Sequence, residues 1–187
     1  MLAVVDLGRR LRALGNLVHV RGLVRYAVFY QVEEYVEDFE ALASELAEGV
    51  GRAEEAAVFF TAADVFKIRR ADGRLVDVYA TVGLANPACL GEERAGARRR
   101  AGTVNLLVVS RAGLSSKGLL DLFRTAAEAK AAALTALGIC GGRPALGTTS
   151  DAILVAAPPG RGDYAGYATE LGAEAAWLVY EVLSEAA

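Results

Sequence analysis

At 187 residues, 54% of them hydrophobic, the chain is long enough to bury one substantial core and too apolar to be disordered. A net charge of −3 and a pI near 5.3 argue against a broad nucleic-acid footprint, and no apolar run reaches the length of a membrane span. A single histidine, His19, excludes a His-rich zinc site and leaves any Ser-His-Asp or Cys-His pair dependent on that one residue. The first ten residues contain an aspartate and no apolar stretch of signal-peptide type, so no leader is expected. Cys89 and Cys140 form neither a disulfide framework nor a zinc spacing, and a cytoplasmic, reducing setting is the expectation.

Taken in order, residues 1–32 read as strands punctuated by Gly15 and Gly22, with His19 in an alternating segment where a structural role is the simpler reading. Val36 to Val50 reads as an amphipathic helix with Val36, Phe39, Leu42, Ala43, Leu46 and Val50 on its apolar face, ended by Gly49 and Gly51. Ala56 to Thr61 is a short apolar strand, Ala71 to Arg74 a turn, and Leu75 to Gly83 an alternating strand with one buried face. Gly91 to Gly102, GEERAGARRRAG, reads as a mobile loop: a solvated connection, or a lid whose arginines meet a ligand anion. Gly102 to Ser110 is a central strand in which Asn105 needs hydrogen-bond partners. A long helix follows from a cap at Ser115 to Leu137, closed by Gly138. Ala152 to Ala157 is a second buried strand stopped by Pro158-Pro159-Gly160, and Tyr164 to Ser184 is a C-terminal helix. The pattern predicts one α+β domain over 1–187, with a mixed β-sheet core flanked by the long central helix and the C-terminal helix.

Lys130 is the residue out of place. Leu119, Phe123, Ala126, Ala133 and Leu137 recur at helical spacing, and Lys130 fills the gap in that apolar stripe. It is one of only three lysines, with Lys67 and Lys117. Buried there, it must find a carboxylate or snorkel, and either Asp151 or Asp64 can supply the partner. Glu128, two residues away, projects from the other side of the helix and should not pair with it. Asp64 stands three residues after Thr61, which suits a helix cap as well as a catalytic acid. Asn86-Pro87 suits a turn, or a carboxamide at a site rim. Gly147-Thr148-Thr149-Ser150-Asp151 suits a turn, or hydroxyls that bind an amide or supply a nucleophile, and it is not a phosphate loop. Glu170, Glu174 and Glu181 read as a solvated face.

Six segments, in order, resemble the adenosylcobinamide amidohydrolases of cobinamide salvage. They are Thr61-Ala62-Ala63-Asp64, Gly83-Leu84-Ala85-Asn86-Pro87, Gly102-Thr103-Val104-Asn105-Leu106, Thr125-Ala126-Ala127-Glu128-Ala129-Lys130, Gly147-Thr148-Thr149-Ser150-Asp151 and Tyr164-Ala165-Gly166-Tyr167-Ala168-Thr169-Glu170-Leu171-Gly172. The resemblance implies an amide hydrolase that converts adenosylcobinamide to adenosylcobyric acid and aminopropanol, the acid re-entering coenzyme B12 synthesis. It implies an adenosylated corrinoid as substrate; no cofactor or metal is assigned, and no nucleic-acid partner is expected. One departure stands out. Family members tend to carry a serine-containing stretch followed by Asn-Gly-Gly near the N-terminus, where this chain reads Leu14-Gly15-Asn16-Leu17-Val18-His19-Val20-Arg21-Gly22. That departure motivates the alternative of a non-catalytic corrinoid- or nucleotide-binding module.

Placed on these motifs, the catalytic candidates are Lys130, Asp151, Asp64, Glu128 and Thr149, and the substrate-binding candidates are Asn86, Asn105, Thr148, Thr169 and Glu170. Asp151 or Asp64 orients water or Thr149, Lys130 meets developing negative charge or passes a proton, and Asn86 and Asn105 hydrogen-bond the amide. Alanine-rich helices suited to close packing leave room for a homo-oligomer.

Overall fold

The computed structural model describes residues 1–34, 36–92 and 102–185. Nine strands and three helices follow one another along it: β1 (Leu2–Gly15), β2 (Leu23–Gln31), α1 (Phe39–Gly49), β3 (Ala56–Thr61), β4 (Arg69–Asp72), β5 (Val76–Val82), β6 (Pro87–Cys89), β7 (Val104–Ser110), α2 (Ser116–Ala136), β8 (Ala145–Thr148), β9 (Ala152–Ala157) and α3 (Glu170–Ser184). Seven strands form one sheet in the order β3-β2-β1-β9-β7-β5-β4, and β6 pairs with β8 in a separate ribbon. The sheet is mixed: β7–β9 and β2–β3 are parallel, the other pairs antiparallel. The expected α+β architecture is therefore present. No helix among the described residues is long and apolar enough to cross a membrane.

The sheet folds back over itself, and β1 makes the bend. Its first residues pair with β2, its last four pair with β9, and the register shifts between Asp6 and Leu11. Gly8 lies at that shift with φ of 72°, a conformation that costs glycine little, and its N–H donates to Asp6 Oδ1 at 2.8 Å. The fold-back brings Phe29 and Phe59, stacked 4.5 Å apart, onto Leu107, Val109 and Leu154 in one buried cluster. Strands far apart in the sheet order thus touch: Thr81 Oγ1 donates to Thr61 Oγ1 at 3.3 Å.

Alternation along the strands sorts side chains into layers. Val104, Leu106 and Val108 of β7 and Ile153, Val155 and Ala157 of β9 face α2 and α3, while Leu107 and Leu154 face the folded-over half. On the outer face of that half, Val28 and Val58 pack against Ala43 and Ala47 of α1. His19 is buried there, its Nε2 donating to the Ala53 carbonyl at 3.2 Å, which is the structural role.

Three expectations change. The first helix starts at Phe39 rather than Val36, because Asp38 caps it by accepting from the Glu40 and Ala41 N–H groups. The last helix starts at Glu170 rather than Tyr164, because Thr169 is the cap; residues 164–168 are a loop held by Asp121, which accepts from the Ala165 N–H, and by Thr125, which donates to the Ala165 carbonyl. Cys89 and Cys140 are joined in a disulfide across 51 residues of sequence. Most of the Gly91–Gly102 loop, and with it the arginine lid, lies outside the described residues.

Candidate active site

β7 and β9 are parallel and begin at the same end of the sheet, where β1 and β5 finish. Asp151 stands one residue before β9, and its carboxylate organises that end. Oδ1 accepts from the Val104 N–H at 2.9 Å and from the Thr148 hydroxyl; Oδ2 accepts from the Thr148 N–H at 2.9 Å and from the Lys130 ammonium. Four donors occupy the lone-pair positions that an ionised carboxylate offers. Asp151 thus joins the start of β7, the end of β8 and α2 at one point.

Lys130 reaches this point along the apolar stripe of α2, flanked by buried Ala126, Ala129, Ala133 and Leu134. Its side chain is 9% exposed and that of Asp151 8%, so the pair is desolvated. Of the two carboxylates open to Lys130 in the sequence, Asp151 is the partner. Gly147 makes the closure possible: its φ is 145°, and a Cβ there would run into both the Asp151 carboxylate and the Lys130 ammonium.

Two asparagines pin the backbone that carries Asp151. Asn16, just past the end of β1, donates from Nδ2 to the Asp151 carbonyl at 3.0 Å and accepts the Ile153 N–H on Oδ1 at 2.7 Å. Asn105, fully buried, accepts the Ala152 N–H at 3.2 Å and donates to the Phe60 carbonyl at 2.8 Å. The Asn105 carboxamide is therefore committed to the protein backbone at both its oxygen and its nitrogen.

Over this buried layer lies a polar rim. Asn86 Nδ2 donates to Thr149 Oγ1 at 2.7 Å, with Thr149 exposed and Asn86 half-buried. Ser150 donates to the Gly102 carbonyl at 3.1 Å and sits 3.1 Å from the Thr103 hydroxyl. Gly83 donates its N–H to the Thr103 carbonyl and lies beside Ala63, so the Thr61–Asp64 segment borders the same end. Asp64 caps the short turn Val65–Lys67 through the Phe66 N–H at 2.9 Å and is 3.8 Å from Lys67.

The remaining expected residues lie elsewhere. Glu128 is 200° around α2 from Lys130 by helical geometry; it pairs with Arg124 at 2.7 Å on the outer surface. There it borders a groove of about 370 Å³ between α2 and α3, edged by Tyr167, Trp177 and Tyr180. Thr169 spends its hydroxyl capping α3, accepting from Gly172 and donating to the Gly166 carbonyl. Glu170 pairs with Arg74 at 2.9 Å, ahead of the start of β5. The seven residues of β5 span roughly 23 Å, which places Thr169 and Glu170 at the opposite end of the sheet from Gly83. Periodicity could not report this, because it places residues on a helix face and not at an end of a sheet.

Asn16 and Thr103 belong to the site but were not singled out by sequence. Asn16 follows a glycine that reads as a turn, and only the β1–β9 pairing shows that its side chain continues the ladder.

The family model described as adenosylcobinamide amidohydrolase matches residues 1–187. An adenosylcobinamide amidohydrolase of Halobacterium salinarum is 39% identical over 158 residues, which cover 80% of this chain and 64% of the relative. The chain thus spans just under two thirds of that relative's length. On the match along its whole length and the identity to this relative, the chain belongs to the adenosylcobinamide amidohydrolase family.

Proposed function

We propose that this protein hydrolyses the amide of adenosylcobinamide, releasing adenosylcobyric acid and aminopropanol in cobinamide salvage. The family match over 1–187 carries this reading. The cluster at the start of β7 and β9 supports it as the place of reaction, because the motif segments that contain Asp64, Asn86, Asn105, Lys130 and Asp151 all meet there.

Amide hydrolysis requires an attacking oxygen, a donor for the oxyanion and a proton for the leaving amine. Asp151 has its lone pairs filled and holds the Lys130 ammonium in place. An ammonium has three N–H donors, and Asp151 takes one, so Lys130 can turn another toward the developing oxyanion. Asp64 is a partly exposed carboxylate at this end and takes the proton of the attacking water, which it then passes to the departing amine. Asn86 and Thr149, at the exposed rim, hydrogen-bond the substrate amide; Thr148 holds Asp151, and Asn105 holds β9. Glu128, Thr169 and Glu170 take no part in this scheme.

Mass spectrometry of adenosylcobinamide incubated with the protein tests the reading. Adenosylcobyric acid should accumulate with stoichiometric aminopropanol, and unchanged cobinamide across a range of buffers overturns it. Tight cobinamide binding without turnover would mark a binding module instead. Lys130→Ala should reduce turnover by about 10²-fold or more, the scale for losing one oxyanion donor.

A further inference from the structure

We propose that Cys89–Cys140 is a site of thiol–disulfide exchange, whose reduction by a dithiol loosens the Asn86–Thr149 rim and weakens substrate binding. The second half of this statement rests on the hydrolase reading above; the first half does not.

The disulfide joins the short outer ribbon to the turn after α2. β6 is three residues long, lies outside the main sheet, and among the described residues pairs with β8 alone, through Pro87↔Thr148, Ala88↔Gly147 and Cys89↔Ala145, with an irregularity between the last two. It begins with a proline, which donates no ladder hydrogen bond. Beyond it, the Leu90 N–H donates to the Pro144 carbonyl at 3.0 Å. Asn86, whose amide holds Thr149, immediately precedes this strand. Cys140 lies in the turn after α2, where Gly138, Gly141 and Gly142 all have positive φ. The covalent link therefore fastens a weakly paired strand of the rim to the end of the helix that carries Lys130.

The two sulfurs differ in access. Cys140 is 5% exposed and packs in the core cluster, whereas Cys89 is half-buried at its margin. A dithiol thiolate attacks Cys89 Sγ, the Cys89–Cys140 bond breaks, and Cys140 leaves as a thiolate that takes a proton. The second thiol of the dithiol then displaces Cys89 and closes the reagent into its cyclic disulfide. Two electrons and two protons pass to the protein, which ends as two thiols. A cysteine pair beside the site would then report on the redox poise of its surroundings.

The test uses the purified full chain, oxidised in air or treated with dithiothreitol. Thiol titration should count none before treatment and two after it. Hydrogen exchange should then accelerate about tenfold or more at residues 88–90 and 145–149, while β7 and β9 keep their protection. With adenosylcobinamide, KM should rise about tenfold on reduction with kcat within about threefold, and reoxidation should reverse both. The Cys89→Ser/Cys140→Ser double variant should behave as the reduced protein with or without dithiothreitol; should it fail to fold, the wild-type comparison stands alone. Exchange rates within twofold in the two states, or a disulfide that dithiothreitol cannot open in the native protein, overturn the proposal. If neither state hydrolyses adenosylcobinamide, the hydrolase reading falls, and hydrogen exchange still decides whether the disulfide governs the rim.

Discussion

The two ends of the main sheet hold ion pairs of the same chemical kind in opposite settings. Where β7 and β9 begin, Lys130 and Asp151 are nearly inaccessible, and the carboxylate takes three further donors. Where β5 begins, Arg74 and Glu170 face each other with side chains 70% and 83% exposed. A buried pair carries a desolvation cost that only full hydrogen bonding offsets, whereas an exposed pair gains and costs little. A fold has no need of a costly pair to close a loop between β8 and β9. The buried pair lies at the end where five motif segments meet, which is where the proposed reaction takes place.

The largest effect should come from breaking the buried pair, and the two partners are not equivalent. Asp151→Ala leaves an unpaired buried ammonium together with the unsatisfied Val104 and Thr148 N–H groups, so it should lose about 3–5 kcal/mol in urea unfolding. Lys130→Met removes the charge but leaves Asp151 three donors and replaces the stem with similar volume. It should lose clearly less stability than Asp151→Ala while still lowering turnover by about 10²-fold or more. Equal losses for the two would mean that the three other donors to Asp151 add nothing beyond the ion pair. Gly147→Ala comes next: a Cβ at φ of 145° strains the backbone and pushes the pair apart. A cost of about 1–3 kcal/mol is expected, measured by thermal unfolding.

Much of this was legible in the sequence. The apolar stripe of α2 places Lys130 on the inward face, and helical geometry sets it apart from Glu128. The strands β3, β5, β7 and β9 were evident from alternation or continuous apolar runs. What could not be read is what long-range pairing decides. β6 and β8 are only three and four residues long and carry no periodic signal. The fold-back of β1 depends on a register shift around Gly8, and it alone brings Thr61 to Thr81. Asn105 looked like a site residue because a buried polar group needs partners, but nothing local said that those partners are Phe60 and Ala152. Thr169 and Glu170 carried a motif yet lie a strand's length from the cluster, because their segment caps α3. The disulfide escaped because spacing alone does not bring Cys89 and Cys140 together.

The exposed end should yield the small effects. Glu170→Ala removes only the contact to Arg74 and should change stability by less than about 1 kcal/mol, with turnover unaltered. A large loss of activity in that variant would move the working end and undo the contrast drawn above.

Asp121 sharpens the comparison further, since it is the acid-sensitive group beside that end. Its carboxyl is held below the usual carboxylate range, first by the hydrogen bond from Arg124 and then by the Ala165 N–H, with burial opposing both. The folded value is lower than the unfolded one, so the stabilisation is fully present above about pH 4, the unfolded carboxylate value, and is lost as pH falls through the folded value beneath it. Asp121→Asn should therefore melt below wild type at pH 5, with the gap closing toward pH 2. Because Arg124 is half exposed, salt should narrow the gap at pH 5 as well. The desolvated Lys130–Asp151 pair should show far less of that salt dependence. A gap that stays constant with pH would mean that Asp121 stabilises residues 163–166 through shape alone, without its charge.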